Sequence, residues 1–394
     1  MNLEQIDKEF VLQTYKRDYT NFVRGEGSTL FDDKGEDYID FASGIGVNSV
    51  GHANPKLVDA ICQQARNIIH ISNLQLIEPQ AKLAQKVCEL SNYNGALFFA
   101  NSGAEANEGA IKIARKYGEV KFDKKRYKVI TLEHSFHGRT ITTVKATGQE
   151  TFHTTSFSPY PAGFSYVKSI SDIYNSIDDE TVAVLIELVQ GEGGVQPFEK
   201  KEVQELASFL KENNILLIVD EVQTGIYRTG EMLASNLYEI EPDIITLAKG
   251  LGGGVPIGAV MTKHKDILSA GDHGSTFGGN YLSTRAGLAV LDILNDLYSR
   301  EELKETISYF EEKLKSIANR YENLFIKEVG IGLMRGLRAK DSDIVSSIMT
   351  NSMKERVIIL KAGRNTIRFL PPLTISKNEI DKGFERFEKA ICNL

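Results

Sequence analysis

Ile215-Leu216-Leu217-Ile218-Val219-Asp220-Glu221 is apolar on both faces for five residues and then turns abruptly acidic. So short a run suits a strand covered on both sides better than a buried helix. Val182-Ala183-Val184-Leu185-Ile186 reads the same way, and a third strand-like run ends at Ile245. Between the first two, Val203, Leu206 and Leu210 recur at helical spacing. Upstream, Glu78-Pro79 opens a helix whose Leu83, Val87 and Leu90 share one face. A turn after Phe98 leads into a further helix from Ala104 to near Gly118. The alternation predicts an α/β fold with a largely parallel sheet covered by helices on both sides. Right-handed crossovers then bring the carboxyl ends of the strands to one edge, where ligands bind.

The flanks read differently. Residues 10–50 carry strand-and-turn signals such as Asp32-Asp33-Lys34-Gly35. From Glu301 a long helix carries Leu303, Ile307, Phe310, Leu314, Ile317 and Tyr321, and a last one carries Ile380, Phe384, Phe387 and Ile391. With 394 residues the chain exceeds one average domain. Residues 55–290 are expected to form a large domain, and both chain ends, 1–54 and 291–394, a smaller one. A net charge of −7 with no dense Lys/Arg block gives no footprint for nucleic acid. No apolar run is long enough to span a bilayer, so no membrane partner is expected. Met1 to Phe10 is polar and unlike a signal peptide. Cys62, Cys88 and Cys392 have no CxxC spacing, which favours neither disulfides nor zinc and points to a cytoplasmic protein.

Chemistry gathers after the strand-like runs. Thr246-Leu247-Ala248-Lys249-Gly250-Leu251-Gly252-Gly253-Gly254 sets one lysine at a strand end, before a glycine cluster. Desolvation there favours the neutral amine that a Schiff base requires, although a lone lysine so placed more often snorkels into water. Asn101-Ser102-Gly103-Ala104-Glu105-Ala106-Asn107 is a small-residue turn entering a helix, suited to an anion or to plain capping by Ser102. Ser135-Phe136-His137-Gly138-Arg139-Thr140 offers an aromatic plane and an arginine able to grip a carboxylate. His134 and His137 do not make a metal site by themselves, and none is expected. Asp220 ends a buried strand, where a carboxylate needs a partner: a protonated pyridine nitrogen, a helix cap or an ion pair. His273-Gly274-Ser275-Thr276-Phe277-Gly278-Gly279-Asn280 supplies hydroxyls and a glycine turn, for phosphate or merely for a loop. Together these meet the needs of pyridoxal phosphate. No GxxxxGK[ST] occurs, and Gly330, Gly332 and Gly336 lack the βαβ setting of a dinucleotide site.

In this order, from Thr14-Tyr15 to Ile391, the motifs resemble those of the class III (subgroup II) aminotransferases, and within them the acetylornithine aminotransferases. The resemblance implies the fold type I of pyridoxal-phosphate enzymes, aspartate-aminotransferase-like: a large domain with a mostly parallel seven-stranded sheet plus a smaller α+β domain. It implies that Lys249 carries pyridoxal 5'-phosphate as a Schiff base, that Asp220 pairs with the ring nitrogen and that Gln223 reaches the phenolic oxygen. Phe136 and Val222 would sandwich the ring. Ser102, with the Gly103 and Ala104 amides, would hold the phosphate, joined by Thr276 of a neighbouring subunit, which makes the active unit a homodimer.

For substrates, the resemblance implies that Arg139 holds the carboxylate remote from the reacting carbon of glutamate or 2-oxoglutarate, and anchors the α-carboxylate of acetylornithine. Arg368, in Ile367-Arg368-Phe369-Leu370-Pro371-Pro372-Leu373, would hold the α-carboxylate of glutamate. Glu192, in Val189-Gln190-Gly191-Glu192-Gly193-Gly194, would cover Arg368 when the donor brings no carboxylate there. Tyr15 and Ser275 would join the substrate site. His70-Ile71-Ser72-Asn73-Leu74 matches the acetylornithine branch. Gly44, in Ala42-Ser43-Gly44-Ile45-Gly46-Val47-Asn48, stands where ornithine aminotransferases carry a tyrosine, leaving room for an acylated amine. Leu188 and Tyr281 replace common prolines, and Gln75 a frequent aromatic near the substrate entrance, which leaves the acyl group open. The implied reaction is a ping-pong transfer of the terminal amino group of N-acetylornithine to 2-oxoglutarate, giving N-acetylglutamate 5-semialdehyde and glutamate, a step of arginine biosynthesis. Ornithine, succinyl-diaminopimelate and 4-aminobutyrate are alternative donors. An aminomutase of the same fold would need no keto acid, and a non-catalytic scaffold would need none of these side chains.

Overall fold

The computed structural model describes residues 2–394. The N-terminal part holds β1 (Phe22–Glu26), β2 (Thr29–Asp32) and β3 (Asp37–Asp40). The middle holds β4 (Ala96–Ala100), β5 (Lys128–Leu132), β6 (Phe164–Val167), β7 (Thr181–Ile186), β8 (Val189–Gln190), β9 (Gln196–Pro197), β10 (Leu216–Asp220), β11 (Ile244–Leu247) and β12 (Gly258–Thr262). The last part holds β13 (Phe325–Ile331), β14 (Met334–Ala339), β15 (Val357–Ile358), β16 (Leu360–Ala362) and β17 (Thr366–Phe369).

Seven strands form the central sheet in the order β4-β12-β11-β10-β7-β5-β6. Parallel pairing joins β11, β10, β7, β5 and β6, while β12 runs antiparallel to both of its neighbours. Every residue of β7, β10 and β11 is buried, as a sheet covered on both faces demands. The helix Lys200–Glu212 packs Val203, Leu206 and Leu210 against Val184, Ile186, Leu217 and Val219 on one face. The helix Gly103–Val120 covers the other, setting Ala110, Ile113 and Ala114 against Ala183, Leu185, Leu216 and Ile218. Alternate residues of the same strands thus face opposite layers, which is why the strands read as unbroken apolar runs.

The chain ends meet. β15 pairs parallel with β3, so a C-terminal strand completes the N-terminal sheet β1-β2-β3-β15. The Phe41 ring lies 5.4 Å from Phe310 and 5.1 Å from Phe384, fastening the segment after β3 to the helices Glu302–Arg320 and Lys377–Cys392. The first of these helices is one residue shorter at each end than its periodicity predicts. Glu301 is a left-handed N-cap with φ 60°, and Tyr321 forms the C-cap. Gly330 and Gly332 sit in the antiparallel β13–β14 hairpin, where Gly332 turns with φ 62°. Among the described residues, no helix is long and apolar enough to cross a membrane.

Candidate active site

The segments that follow β4, β5, β7, β10 and β11 enclose a cavity of about 440 Å³. Lys249, Asp220, Phe136, Val222 and Gln223 line it together with Ser102, Gly103 and Ala104. Lys249 begins a single 3-10 turn, Lys249–Leu251, with φ 40°, a backbone region uncommon for a residue with a β-carbon. The Leu251 amide donates to Ala248 O at 2.9 Å and Ser49 Oγ donates to Gly250 O at 2.7 Å, which hold the turn in place. Burial pushes the Lys249 ammonium down to about 8, helped by Arg368 and opposed by Glu192, Asp220 and Glu187. A usable fraction is therefore free amine near neutrality.

This shift sets a pH dependence of stability. An unfolded lysine titrates near 10.5, the folded one near 8, so between those values the unfolded chain binds more protons. Stability should rise with pH across that window, while below about 8 both states hold the proton and the cost of burial is fully present. In cofactor-free protein, raising the pH from about 7 to about 10 should lift Tm more than in Lys249→Ala, by about 3 °C. Parallel Tm profiles for the two proteins would count against a buried, neutral Lys249.

Asp220 is buried, and burial alone would raise its pKa. Its Oδ2 accepts from Asn107 Nδ2 and from His137 Nδ1, both at 2.8 Å, and its Oδ1 accepts from the Val222 amide at 3.0 Å. Those bonds outweigh burial and hold the carboxyl below its usual range, so Asp220 is an anion. A buried carboxylate needs a partner, and the chain supplies three donors to Asp220, one of them Asn107 on the opening turns of the helix Gly103–Val120. Ser102 Oγ accepts from the Glu105 amide at 3.2 Å. Among the described residues, no acceptor takes the Gly103 or Ala104 amide, so the N-terminus of this long helix offers free N–H groups to an anion. Gly103 must lack a side chain: a Cβ there would lie 2.7 Å from Val222.

Arg368, on β17, is 2% exposed and stands behind the cavity wall. Its Nη1 donates to Glu192 Oε1 at 2.7 Å and to Gln223 Oε1 at 3.2 Å, and both acceptors line the cavity. Its Nε is buried without an acceptor. Arg139 lines the cavity but is exposed, its guanidinium 3.8 Å from the centre of the Phe152 ring and 5.5 Å from that of Phe136.

Besides Arg368, four predicted residues lie outside this cavity. Tyr15 is exposed. Gly44 belongs to a left-handed run from Ser43 to Gly46, and it is Val47, just beyond, that reaches the cavity. Ser275 and Thr276 line a second hollow of about 790 Å³, with His70 and Asn73. Ser275 Oγ nevertheless accepts from Asn101 Nδ2 at 3.1 Å, so that loop backs onto the Ser102 turn.

The sequence reading missed Asn107, the pairing of His137 with Asp220, and Glu187. Glu187 had a visible signal: it comes directly after β7, and Asp220 is the last residue of β10, each a carboxylate closing an apolar run. Glu221, by contrast, is structural. It accepts from the Ala234 and Ser235 amides, both at 2.7 Å, and so caps the helix Ala234–Leu237.

A desolvated lysine, a buried carboxylate anion and free helix-terminal amides surround one cavity, the kinds of group that an aldehyde cofactor bearing a phosphate requires. The profile of the class-III aminotransferases matches residues 13–391. The chain is 58% identical to the acetylornithine aminotransferase of Wolinella succinogenes over 99% of its own length and 100% of that protein. It superposes with TM-score 0.91 and 30% identity on the ornithine aminotransferase of Toxoplasma gondii, covering 99% of this chain and 94% of the other. On N-acetylornithine aminotransferase from Stenotrophomonas maltophilia the TM-score is 0.83 at 29% identity, with 99% of both chains covered. The chain belongs to the class-III aminotransferases, a family that works with pyridoxal phosphate.

Proposed function

We propose that this enzyme moves the terminal amino group of N-acetylornithine to 2-oxoglutarate, giving N-acetylglutamate 5-semialdehyde and glutamate. The observation that carries this reading is the Glu192–Arg368 pair, a carboxylate site closed by an internal carboxylate. An amine donor without a carboxylate at that place leaves the pair intact; glutamate and 2-oxoglutarate bring a carboxylate able to take Glu192's position.

The residues present fit the cofactor: Asp220 is ionised, the Gly103 and Ala104 amides are free, and burial lowers Lys249 to about 8. Asp220 would face the ring nitrogen, Gln223 the phenolic oxygen, Phe136 and Val222 the two ring faces, and Ser102, Gly103 and Ala104 the phosphate. Bound pyridoxal phosphate supplies an aldehyde for the donor amine and a ring that takes up the electrons of the broken C–H bond. Lys249 Nζ, once free, removes the proton from the donor carbon and later returns one. Asp220, kept anionic by Asn107, His137 and the Val222 amide, would hold the ring nitrogen of the bound group protonated. Arg139 would bind the carboxylate remote from the reacting carbon of the keto acid and the α-carboxylate of the donor, while Tyr15, Gly44 and Ser275 would border the substrate.

Thr276 would complete the phosphate site of a second copy in a homodimer. Exposed Leu74, Leu76 and Phe277 near that loop support such a contact. The Phe41 cluster supports a large domain of residues 55–290 and a small domain of 1–54 with 291–394. The unpaired thiols of Cys62, Cys88 and Cys392 support a cytoplasmic location.

Comparing kcat/KM for N-acetylornithine, ornithine, succinyl-diaminopimelate and 4-aminobutyrate tests the donor, and a preference for any of the last three would overturn it. Arg368→Lys should lower kcat/KM for 2-oxoglutarate on the order of a hundredfold, because an ammonium cannot reproduce the bidentate fork. The half-reaction with the amine donor should change far less. Equal losses in both halves would remove Arg368 from keto-acid recognition.

A further inference from the structure

Glu187 is a buried carboxyl in the cavity wall that none of the roles above uses. Among the described residues it has no side-chain hydrogen-bond partner. Its Oε2 accepts from the Phe136 amide at 3.1 Å and its Oε1 from the Gly191 amide at 3.3 Å. One carboxyl therefore joins the loop that carries the Phe136 ring to the loop that carries Glu192. Burial and Asp220 push Glu187 up to about 7, against the pull of His137 and of the two N–H groups. A carboxylate so costly to bury, spent on two amides, has a positional use.

The Gly191 end matters most. Gly191 lies directly against Gln223: a Cβ on it would come within 2.2 Å of Gln223 Oε1. Gln223 and Glu192 are the two acceptors of Arg368 Nη1. Beyond the pivot, Glu192 O accepts from the Gly363 amide at 2.8 Å and Gly194 O from Arg338 Nη2 at 3.0 Å. The far side of the loop is thus tied to the hairpin that bears Arg368 and to β14 beside it, and the near side is tied through Glu187.

We propose that Glu187 is the positioning residue of the Arg368 gate: its carboxylate pins the Gly191 pivot and so keeps Glu192 and Gln223 seated on Arg368. This rests on the reading of Glu192 as the group that yields to a substrate carboxylate. Freeing the pivot gives the loop conformational freedom that the closed pair must overcome, so the gate opens more readily to a dicarboxylate.

Glutarate, a dicarboxylate with no carbonyl to react, reads the gate without turnover. Its Kd for the holoenzyme is measured by calorimetry in wild type, Glu187→Gln, Glu187→Ala, Glu192→Ala and the two double variants. The Gln amide nitrogen cannot accept an N–H, and Ala removes both contacts. Glutarate should bind about fivefold tighter in at least one Glu187 variant, and the gain should vanish where Glu192 is already Ala. A merely structural role would weaken binding by the same factor in both backgrounds, and that result overturns the proposal. So does unchanged binding in both single variants. If Glu192→Ala itself fails to tighten glutarate, the gate reading falls and takes this inference with it. If Glu192→Ala tightens glutarate but the Glu187 variants do not, only the role of Glu187 falls.

Discussion

Replacing Lys249 with Ala is expected to lower turnover by about 10³-fold or more while leaving the protein folded. Among the described residues, Lys249 is the only lysine that lines the cavity, so no second amine stands ready to take the proton from the donor carbon. Among the described residues its side chain makes no hydrogen bond that holds the fold; the turn is secured by Ser49 Oγ on Gly250 O and by the Leu251 amide. Removing a desolvated amine also removes the cost of burying its charged form. Single-turnover kinetics together with a thermal melt check both halves of this expectation. Turnover within tenfold of wild type would show that another group does the work.

The second large effect belongs to Asp220. Asp220→Ala should cost about 10²- to 10³-fold in kcat, the range found when a preorganised charge is removed from a closed site. It also strands the His137, Asn107 and Val222 donors, so some loss of stability is expected, about 1–3 kcal/mol for each buried donor left unpaired. Asp220→Asn separates the two effects. It keeps the volume while removing the charge, so a comparable loss of kcat in both variants assigns that loss to the anion. Near-wild-type kcat in Asp220→Asn would mean that the charge is not used.

Why the strands were legible and parts of the site were not follows from how each is encoded. β7 and β10 are covered on both faces, so their burial is written locally as unbroken apolar runs. Lys249 and Asp220 follow such runs directly, and the strand-end rule for parallel sheets finds them. Asn107 and His137 are different. They matter because a helix and a loop far apart in sequence converge on one carboxylate oxygen, at 2.8 Å each, and no local pattern encodes that distance. The Asp220-Glu221 pair shows the limit from the other side: adjacent acids, both buried, one aimed into the cavity and one capping a helix. Thr276 lines a hollow separate from the cavity around Lys249, and its role in a second copy rests on the family resemblance alone.

Transfer of an amine to a keto acid through this cavity is tested by product stoichiometry. With N-acetylornithine and 2-oxoglutarate, the holoenzyme should form glutamate and the semialdehyde in equal amounts, continuously. Without the keto acid, the semialdehyde should stop after about one equivalent per site, because the amine taken up has nowhere to go. Sustained product formation from the amine alone, or no glutamate with both substrates present, would exclude such a transfer.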